Sequence, residues 1–321
     1  MAALIEQTDN LIYVSNISNG RFVPWHKMGI RLEEAPTSHD ALVASGLDWK
    51  VEQKEVFVNG VVAEGYKANV RDRDNSILGI VSDRYKVVNN EDAFAFVDNL
   101  VDGSATKYET AGSLRNGKTV WMLAKMPDEK ILGDDIAQYL CFTNTHDGTG
   151  SVKVVPTNIR VVCANTLQIA VNGAKRVWRV THAGNLESKL FQAHETLKLN
   201  HEYFSALSRD AYRYANTSVT DSEFLTRINN LLPITIEMSD KQKQNVQKIK
   251  DNIERCFNMP DISKFKNSEW GVINALSDHV THFAGIRASA SFKETRFDNI
   301  LSGRTLLDQY MKDNQLLKKI A

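Results

Sequence analysis

The sequence predicts an α+β protein, with antiparallel β-hairpins in the N-terminal half packed against a helix-rich C-terminal half. Before residue 185, short apolar strands flank tight turns, and after it apolar residues recur every three to four positions. The composition, 42% hydrophobic and 24% charged, is that of a globular chain long enough to bury a core without disulfides or metals. Residues 1–185 and 186–321 form either two domains or two layers of one continuous domain.

Hairpins are predicted where strands flank Asn-Gly pairs, because a type I′ turn needs positive φ at both central residues. Asn59-Gly60 and Asn116-Gly117 are the two such pairs. The predicted strand pairs are 51–58 with 61–70, 107–114 with 119–126, and 137–145 with 151–156. Residues 175–181 are predicted to form one more strand.

Helices are predicted from apolar periodicity and from capping signals. Thr220 and Glu223 have the spacing of a capping box, and Asn172-Gly173 has the character of a C-terminal cap after residues 159–171. The predicted helices are 93–100, 159–171, 187–216, one that begins at 220, 239–257, 270–287 and 301–314.

Charge and cysteine content narrow the function classes. The 39 basic and 39 acidic side chains give a formal net charge of zero, so a nucleic-acid site requires an uneven distribution of charge. Cys141, Cys163 and Cys256 form no CxxC pair, which favours buried, reduced thiols in a reducing compartment. Neither a signal peptide nor an apolar stretch of about 20 residues is present. We therefore expect a cytoplasmic protein without membrane contact.

Residues 151–186 contain no Asp or Glu and form the most basic segment. A basic strand with interleaved aromatic residues is suited to contact phosphates and to stack on bases. Alternatively, these cations pair with acidic residues elsewhere in the fold, or bind a small anion or an acidic protein. The candidate phosphate ligands are Lys153, Arg160, Lys175, Arg176 and Arg179, and Trp178 is the candidate stacking residue.

Two further segments extend the candidate nucleic-acid surface. Trp25 either stacks on a base or anchors the N-terminal segment in a pocket on the sheet. Arg84 and Lys86 lie on the same side of the chain if it is extended there.

The case for catalysis is weaker. His146, Asp147 and His182 are polar residues near predicted strand ends, but a turn-forming Asp explains His146-Asp147-Gly148 without catalysis. No Gly-rich phosphate-loop motif is present, and His279 and His282 lack a convincing third metal ligand. The sequence predicts neither an enzyme nor a cofactor or metal site.

Several segments together resemble the phage/plasmid-like family of uncharacterised proteins. The matching segments are Pro24-Trp25-His26-Lys27-Met28-Gly29, residues 81–88, 143–150, 160–167 and 179–185, and Glu269-Trp270-Gly271. Membership implies a phage, prophage or plasmid setting and no recognised catalytic residues. The order of sheet-rich hairpins and a long helix is also similar, at the level of fold alone, to phage single-strand annealing proteins of the Red-beta and RecT type.

The leading hypothesis is a phage- or plasmid-encoded, oligomeric nucleic-acid-binding protein, with single-stranded DNA as the favoured partner in recombination or replication. The alternative is an accessory protein of a mobile element that binds and inhibits a host defence protein. That alternative requires an exposed apolar or aromatic surface.

Overall fold

The computed structural model describes residues 30–32, 37–101, 107–160, 165–166, 176–182, 193–283 and 290–316. Trp25, Lys175 and Cys163 lie outside the described residues, so the predictions made for them are not addressed by the structure.

Within the described residues, eight strands form one antiparallel sheet in the order β1-β5-β6-β8-β9-β10. β7 shares one edge of β8 with β6, and β11 shares one edge of β9 with β10. The strands of this large sheet are β1 (Ile30–Arg31), β5 (Lys107–Leu114), β6 (Thr119–Lys125), β7 (Glu129–Ile131), β8 (Asp134–Thr145), β9 (Val152–Arg160), β10 (Asn165–Thr166) and β11 (Trp178–Val180).

A smaller antiparallel sheet contains, among the described residues, β2 (Val51–Val58), β3 (Val61–Arg71) and β4 (Ile77–Ser82). One face of this small sheet packs against the turn between β8 and β9. There the Asn69 side-chain amide donates a 2.7 Å hydrogen bond to the His146 carbonyl.

The helices are α1 (Ser38–Ala44), α2 (Asn90–Val101), α3 (Ala193–Ala215), α4 (Asp221–Leu231), α5 (Asp240–Phe257), α6 (Glu269–Asp278), α7 (Ala290–Ser302) and α8 (Leu306–Asp313). A π-helical turn, His279–Phe283, continues α6. Among the described residues, no helix combines the length and apolar character needed to span a bilayer.

Successive side chains along the strands of the large sheet point to opposite faces, and both faces are apolar. One face, with Phe142 and Val154, forms a core with α1 and α2. The opposite face, with Trp121 and Cys141, packs against Leu301 at the end of α7. The remaining helices form their own core, which also takes in Ile131 and Ile136 of the large sheet. Apolar contacts therefore cross the predicted boundary near residue 185.

The predicted fold class is confirmed: antiparallel hairpins precede a helical half. Asn59 and Gly60 have φ values of 50° and 80°, as a type I′ turn requires. The capping box of Thr220 and Glu223 is also present, with both reciprocal hydrogen bonds. These signals act within a few residues, which is why sequence alone reveals them.

Two helix predictions are wrong. The described part of residues 159–171 is extended, because Ile159 and Arg160 pair with β8 and β10 rather than continuing a helix. The predicted helix 301–314 is broken at Gly303, whose φ of 72° ends α7 before α8 begins.

Candidate anion-binding site

A basic pocket of about 310 Å³ lies between the large sheet and the C-terminal end of α7. The sheet provides its floor, and the end of α7 with the following loop provides its roof. The turn after β5 and the loop between β8 and β9 complete the wall. Four basic side chains line it among the described residues: Arg115, Lys153, Arg179 and Arg304. A carboxylate, Asp298, is also part of the lining.

Strand register places two of these cations next to each other. Lys153 of β9 pairs with Thr143 of β8 on one side and with Arg179 of β11 on the other. Directly opposed residues of antiparallel strands project from the same face, with Cβ atoms about 4.5–5.5 Å apart. The hydroxyl of Thr143 and the two cations therefore form a row across the floor.

Lys153 is the most enclosed cation of the pocket, and it is half-buried. Burial lowers the pKa of its ammonium group, and the positive charges of Arg179, Arg304 and Arg115 lower it further. No carboxylate among the described residues forms an ion pair with Lys153 or Arg179. Like charges held this close favour an anion between them.

The other two cations already have polar partners. Arg115 forms an ion pair with Asp298, and the Arg304 Nε donates a 2.8 Å hydrogen bond to the Ser302 hydroxyl. The end of α7 at Gly303 determines the position of Arg304, the next residue. The left-handed Gly303 lies so close to the Arg176 guanidinium that a Cβ there would be 2.4 Å from its Nη1. Any other residue would displace this corner.

Hydroxyl groups also lie around the cations. Those of Thr119 and Thr143 can donate to a ligand, whereas the other three already donate to protein oxygens. The hydroxyl-bearing residues of the lining are Thr119, Thr143, Thr145, Thr149 and Ser302. Gly150 allows the loop between β8 and β9 to pack closely against Thr145, because a Cβ at position 150 would lie 2.4 Å from the Thr145 Oγ1. Cations and neutral hydroxyls together are the groups that proteins use to bind phosphate oxygens.

Arg176 was predicted as a phosphate ligand, but it has a different position. Its Nη1 lies 2.7 Å from Asp308 Oδ1, and its Nη2 donates a 3.1 Å hydrogen bond to the Ile300 carbonyl. Both partners of the ion pair are largely buried. Arg176 therefore joins the segment before β11 to the corner between α7 and α8, and it supports the roof of the pocket instead of lining it.

Trp178 also lies away from the pocket. Successive residues of a strand point to opposite faces, so Trp178 projects away from Arg179 and packs against the core formed with α1 and α2. Trp178 therefore does not share the basic pocket with Arg179, and its stacking on a base stays a prediction. The backbone of Arg160 ends β9, and its side chain lies outside what the structure describes. Arg84 and Lys86 are exposed near the end of β4, and neither lines the pocket.

Sequence reasoning missed Arg115 and Arg304. Arg115 lies in the turn between β5 and β6 with a φ of 54°, and Arg304 follows α7, far away along the chain. Neither position has a local pattern that points to the basic segment. The Asn-Gly pair predicted the turn next to Arg115, but it gave no information about which residues lie near Arg115 in the fold.

The region around His146 is a buried polar cluster. The His146 Nε2 lies 2.9 Å from Asn90 Oδ1, its ring packs edge-on against Trp49, and burial lowers its pKa to about 3. Asp147 accepts hydrogen bonds from the backbone and side chain of Thr149, as expected of a turn-forming residue. His182 stacks on Tyr85, and burial lowers its pKa as well.

A search for metal ligands within the described residues finds no group of three or more His, Cys, Asp or Glu side chains placed to hold an ion. Cys141 and Cys256 are buried cysteines, and burial raises the pKa of the Cys141 thiol. A buried thiol with a raised pKa is a poor nucleophile.

A second surface of interest lies on the small sheet. Beyond the end of β4, the hairpin of β2 and β3 continues as two strands with both faces exposed. Large apolar side chains with exposed fractions between 41% and 69% lie on this hairpin and on β4. We call these residues the apolar surface: Phe57, Val58, Val61, Val62, Tyr66, Ile77 and Ile80.

Comparison with known proteins gives one match. Residues 77–301, more than half of the 321-residue chain, match the family described as Domain of unknown function (DUF932). The match includes the floor of the basic pocket and Asp298, and it ends just before the roof residues Ser302 and Arg304. No curated protein and no solved structure matches the chain significantly. The expectation of an uncharacterised family is confirmed, and the chain belongs to the DUF932 family.

Proposed function

We propose that this protein is an oligomeric nucleic-acid-binding protein that holds phosphate groups in the basic pocket. The observation that carries the proposal is the adjacent pair of the half-buried Lys153 and the exposed Arg179. Neither has a carboxylate partner among the described residues, and both line the pocket together with Arg115 and Arg304. A phosphate between these side chains would relieve their mutual repulsion. The proposed activity is binding, and the favoured ligand is single-stranded DNA.

Pairing with internal carboxylates explains only part of the basic segment. Arg176 pairs with Asp308, as the competing interpretation of these cations requires. Lys153 and Arg179 remain, and they are adjacent across β9 and β11. Placing two cations side by side at the edge of a low-dielectric core is unfavourable unless a ligand compensates them.

The test is fluorescence anisotropy with labelled single- and double-stranded oligonucleotides over a salt series. We expect Arg179→Ala to weaken binding about tenfold and to lower the salt slope by about one unit, because one phosphate contact is lost. Lys153→Ala is expected to act in the same direction. Their matched controls are Arg209→Ala and Lys241→Ala, which remove exposed cations that do not line the pocket.

Absence of oligonucleotide binding at low salt would contradict the proposal. Equal losses in the pocket variants and in the controls would also contradict it, because the affinity would then follow net charge rather than the pocket.

The oligomeric part of the proposal rests on the apolar surface. Its seven side chains are 41–69% exposed. Phe57 pairs with Val62 and Val58 pairs with Val61, so the apolar side chains are divided between the two faces of the hairpin, and each face can contact a partner. Charges of both signs border it, with Glu52 near Lys54 and Glu55 near Lys67. A surface with interleaved opposite charges is complementary to a copy of itself, so we assign it to a second copy of this chain.

Light scattering after size exclusion tests this assignment. We expect the wild-type protein to self-associate and Val61→Glu to shift it towards the monomer, because a charge in an apolar interface is costly. Val43→Glu is the matched control, since Val43 is 51% exposed on α1 and lies outside the apolar surface.

A wild-type protein that stays monomeric at high concentration would refute self-association. The same surface would then favour the second candidate function, the binding of a host protein. The result that supports this second function is a stoichiometric complex with a host protein. It should survive nuclease treatment and be lost in the Val61→Glu variant.

A further inference from the structure

We infer that the basic pocket selects a phosphomonoester, the terminal phosphate of a nucleic-acid strand or of a nucleotide, over the internal phosphodiesters of a continuous strand. This inference rests on the proposed function and goes beyond it, because it names the chemical group that the pocket recognises. Three features of the pocket support it: its charge, its shape and its neighbouring cavity.

The first feature is charge. Among the described residues, four cations and one carboxylate line the pocket, which leaves three positive charges around a volume of about 310 Å³. A phosphodiester has one negative charge, whereas a phosphomonoester has about −1.5 to −2 at pH 7 and three acceptor oxygens. The monoester therefore compensates more of the positive charge, and its third oxygen gives the hydroxyls of Thr119 and Thr143 an acceptor.

The second feature is shape. A protein that follows a continuous strand uses an extended basic groove several nucleotides long. Here the cations converge on one small volume, near the lower end of the roughly 300–1,000 Å³ usual for ligand pockets. The floor of β-strands, the roof at Ser302 and Arg304, and the wall at Thr149 and Gly150 enclose it on several sides. Convergent cations in a small enclosed volume suit one compact group.

The third feature is a neighbouring cavity of about 200 Å³ that shares Arg304 with the basic pocket. Its lining includes Val280, Ile300 and Leu306, with His279 and Arg296 at the side. A largely apolar cavity next to a phosphate site offers room for the sugar or base of the nucleotide that carries the phosphate. Arg304 would then lie between the phosphate and the rest of that nucleotide.

Oligonucleotides of one sequence, with either a 5′-phosphate or a 5′-hydroxyl, test the inference. We expect the phosphorylated strand to bind about tenfold more tightly at pH 7.5. A terminal monoester in the pocket brings about one more negative charge close to the cations than an internal diester would. We expect this preference to shrink as the pH falls from about 7.5 to 5, since a phosphomonoester loses its second charge near pH 6. No histidine lines the basic pocket among the described residues, and burial lowers the pKa of His279 in the neighbouring cavity to about 4, below this range. Burial also lowers the pKa of Lys153, but a lysine gains positive charge as the pH falls, which would strengthen the preference instead of reducing it. The expected decrease therefore reports on the phosphomonoester.

Variants connect the preference with the pocket. Arg179→Ala and Arg304→Ala are expected to abolish most of the preference, and Arg209→Ala is expected to retain it; all three arginines are exposed. Asp298→Asn is the most informative variant, because it removes the carboxylate from the lining and frees Arg115. We expect Asp298→Asn to bind the phosphorylated strand more tightly, and a loss of folding would not produce such a gain.

The outcomes separate the two proposals. Equal affinities of the phosphorylated and hydroxyl strands would overturn the inference and leave nucleic-acid binding intact, whereas binding of neither strand would overturn both. A nucleoside 5′-monophosphate that binds as tightly as the phosphorylated strand would identify the free nucleotide as the ligand. Tighter binding of the phosphorylated strand would identify the strand end.

Discussion

Two hairpins of this protein begin from the same local signal and have opposite surroundings. Asn59-Gly60 joins β2 and β3, and Asn116-Gly117 joins β5 and β6. The first hairpin extends into solvent and exposes Phe57 and Val61. The second is buried in the large sheet, and its turn brings Arg115 to the basic pocket. An Asn-Gly pair thus determines how the chain turns, while the packing on each side determines what the hairpin can do.

The largest expected difference between the hairpins is in core packing. Trp121 of β6 is fully buried, so Trp121→Ala is expected to lower the free energy of unfolding by about 3–5 kcal/mol. Phe57 of β2 is 61% exposed, so Phe57→Ala is expected to change it by less than about 0.5 kcal/mol in dilute protein. Urea denaturation measures both. Similar losses would show that the first hairpin is packed in solution.

Acid is expected to destabilise the second hairpin. The His146 backbone N–H donates to the Lys118 carbonyl in its turn, and the buried ring has a pKa of about 3. Because the unfolded chain takes up this proton near pH 6.5 and the folded chain does not, stability is complete above pH 6.5. It falls by about 1.4 kcal/mol per unit as the pH drops towards 3.

Denaturation midpoints between pH 7.5 and 5 check this prediction. In His146→Gln, the change of the unfolding free energy with pH should be smaller by the equivalent of nearly one proton. His201 is exposed, so His201→Gln should keep the wild-type pH dependence. An unchanged slope in His146→Gln would show that the ring is already protonated or accessible in the folded protein.

The two turn glycines provide a smaller contrast. Both have positive φ, 80° at Gly60 and 84° at Gly117. A Cβ at Gly60 would meet nothing within 4 Å, but a Cβ at Gly117 would lie 2.8 Å from Arg71 Nη1. We expect Gly60→Ala to cost about 1 kcal/mol from backbone strain alone, and Gly117→Ala to cost about 1 kcal/mol more. Equal costs in thermal unfolding would mean that Arg71 moves aside freely.

At Arg115 the expected effect on stability is small, and the expected effect is on binding. Arg115→Gly removes a half-exposed ion pair with Asp298 and relieves a positive φ, and each contributes no more than about 1 kcal/mol. The free energy of unfolding should therefore change by less than about 1 kcal/mol, while affinity for a phosphorylated strand falls. An unchanged affinity would remove Arg115 from the site.

Sequence alone predicted the fold well where local chemistry determines it. Asn-Gly turns and the capping box of Thr220 and Glu223 are present as predicted, because each depends on a few adjacent residues. The segment at Ile159 and Arg160 failed because pairing with β8 and β10 outweighed its helical periodicity. No pattern within that segment reports on the neighbouring strands.

The site was predicted in part. The absence of acidic residues around Lys153 and Arg179 identified its floor, and the structure places both in one pocket. Trp178 was assigned to the same site as Arg179. Adjacent residues of a strand point to opposite faces, so the sequence alone was enough to separate the two side chains. Arg304 approaches the floor only through tertiary packing, so no sequence pattern could have identified it.

The ion pair of Arg176 and Asp308 has a consequence for how the binding site forms. It joins residues 132 positions apart in the chain. The roof, at Ser302 and Arg304, therefore reaches its place only after most of the polypeptide has been synthesised. A nascent chain that ends before residue 302 has the floor cations without the enclosing roof, so selective ligand binding requires synthesis to continue past Arg304. A ligand that requires the complete pocket would also favour the folded state by mass action.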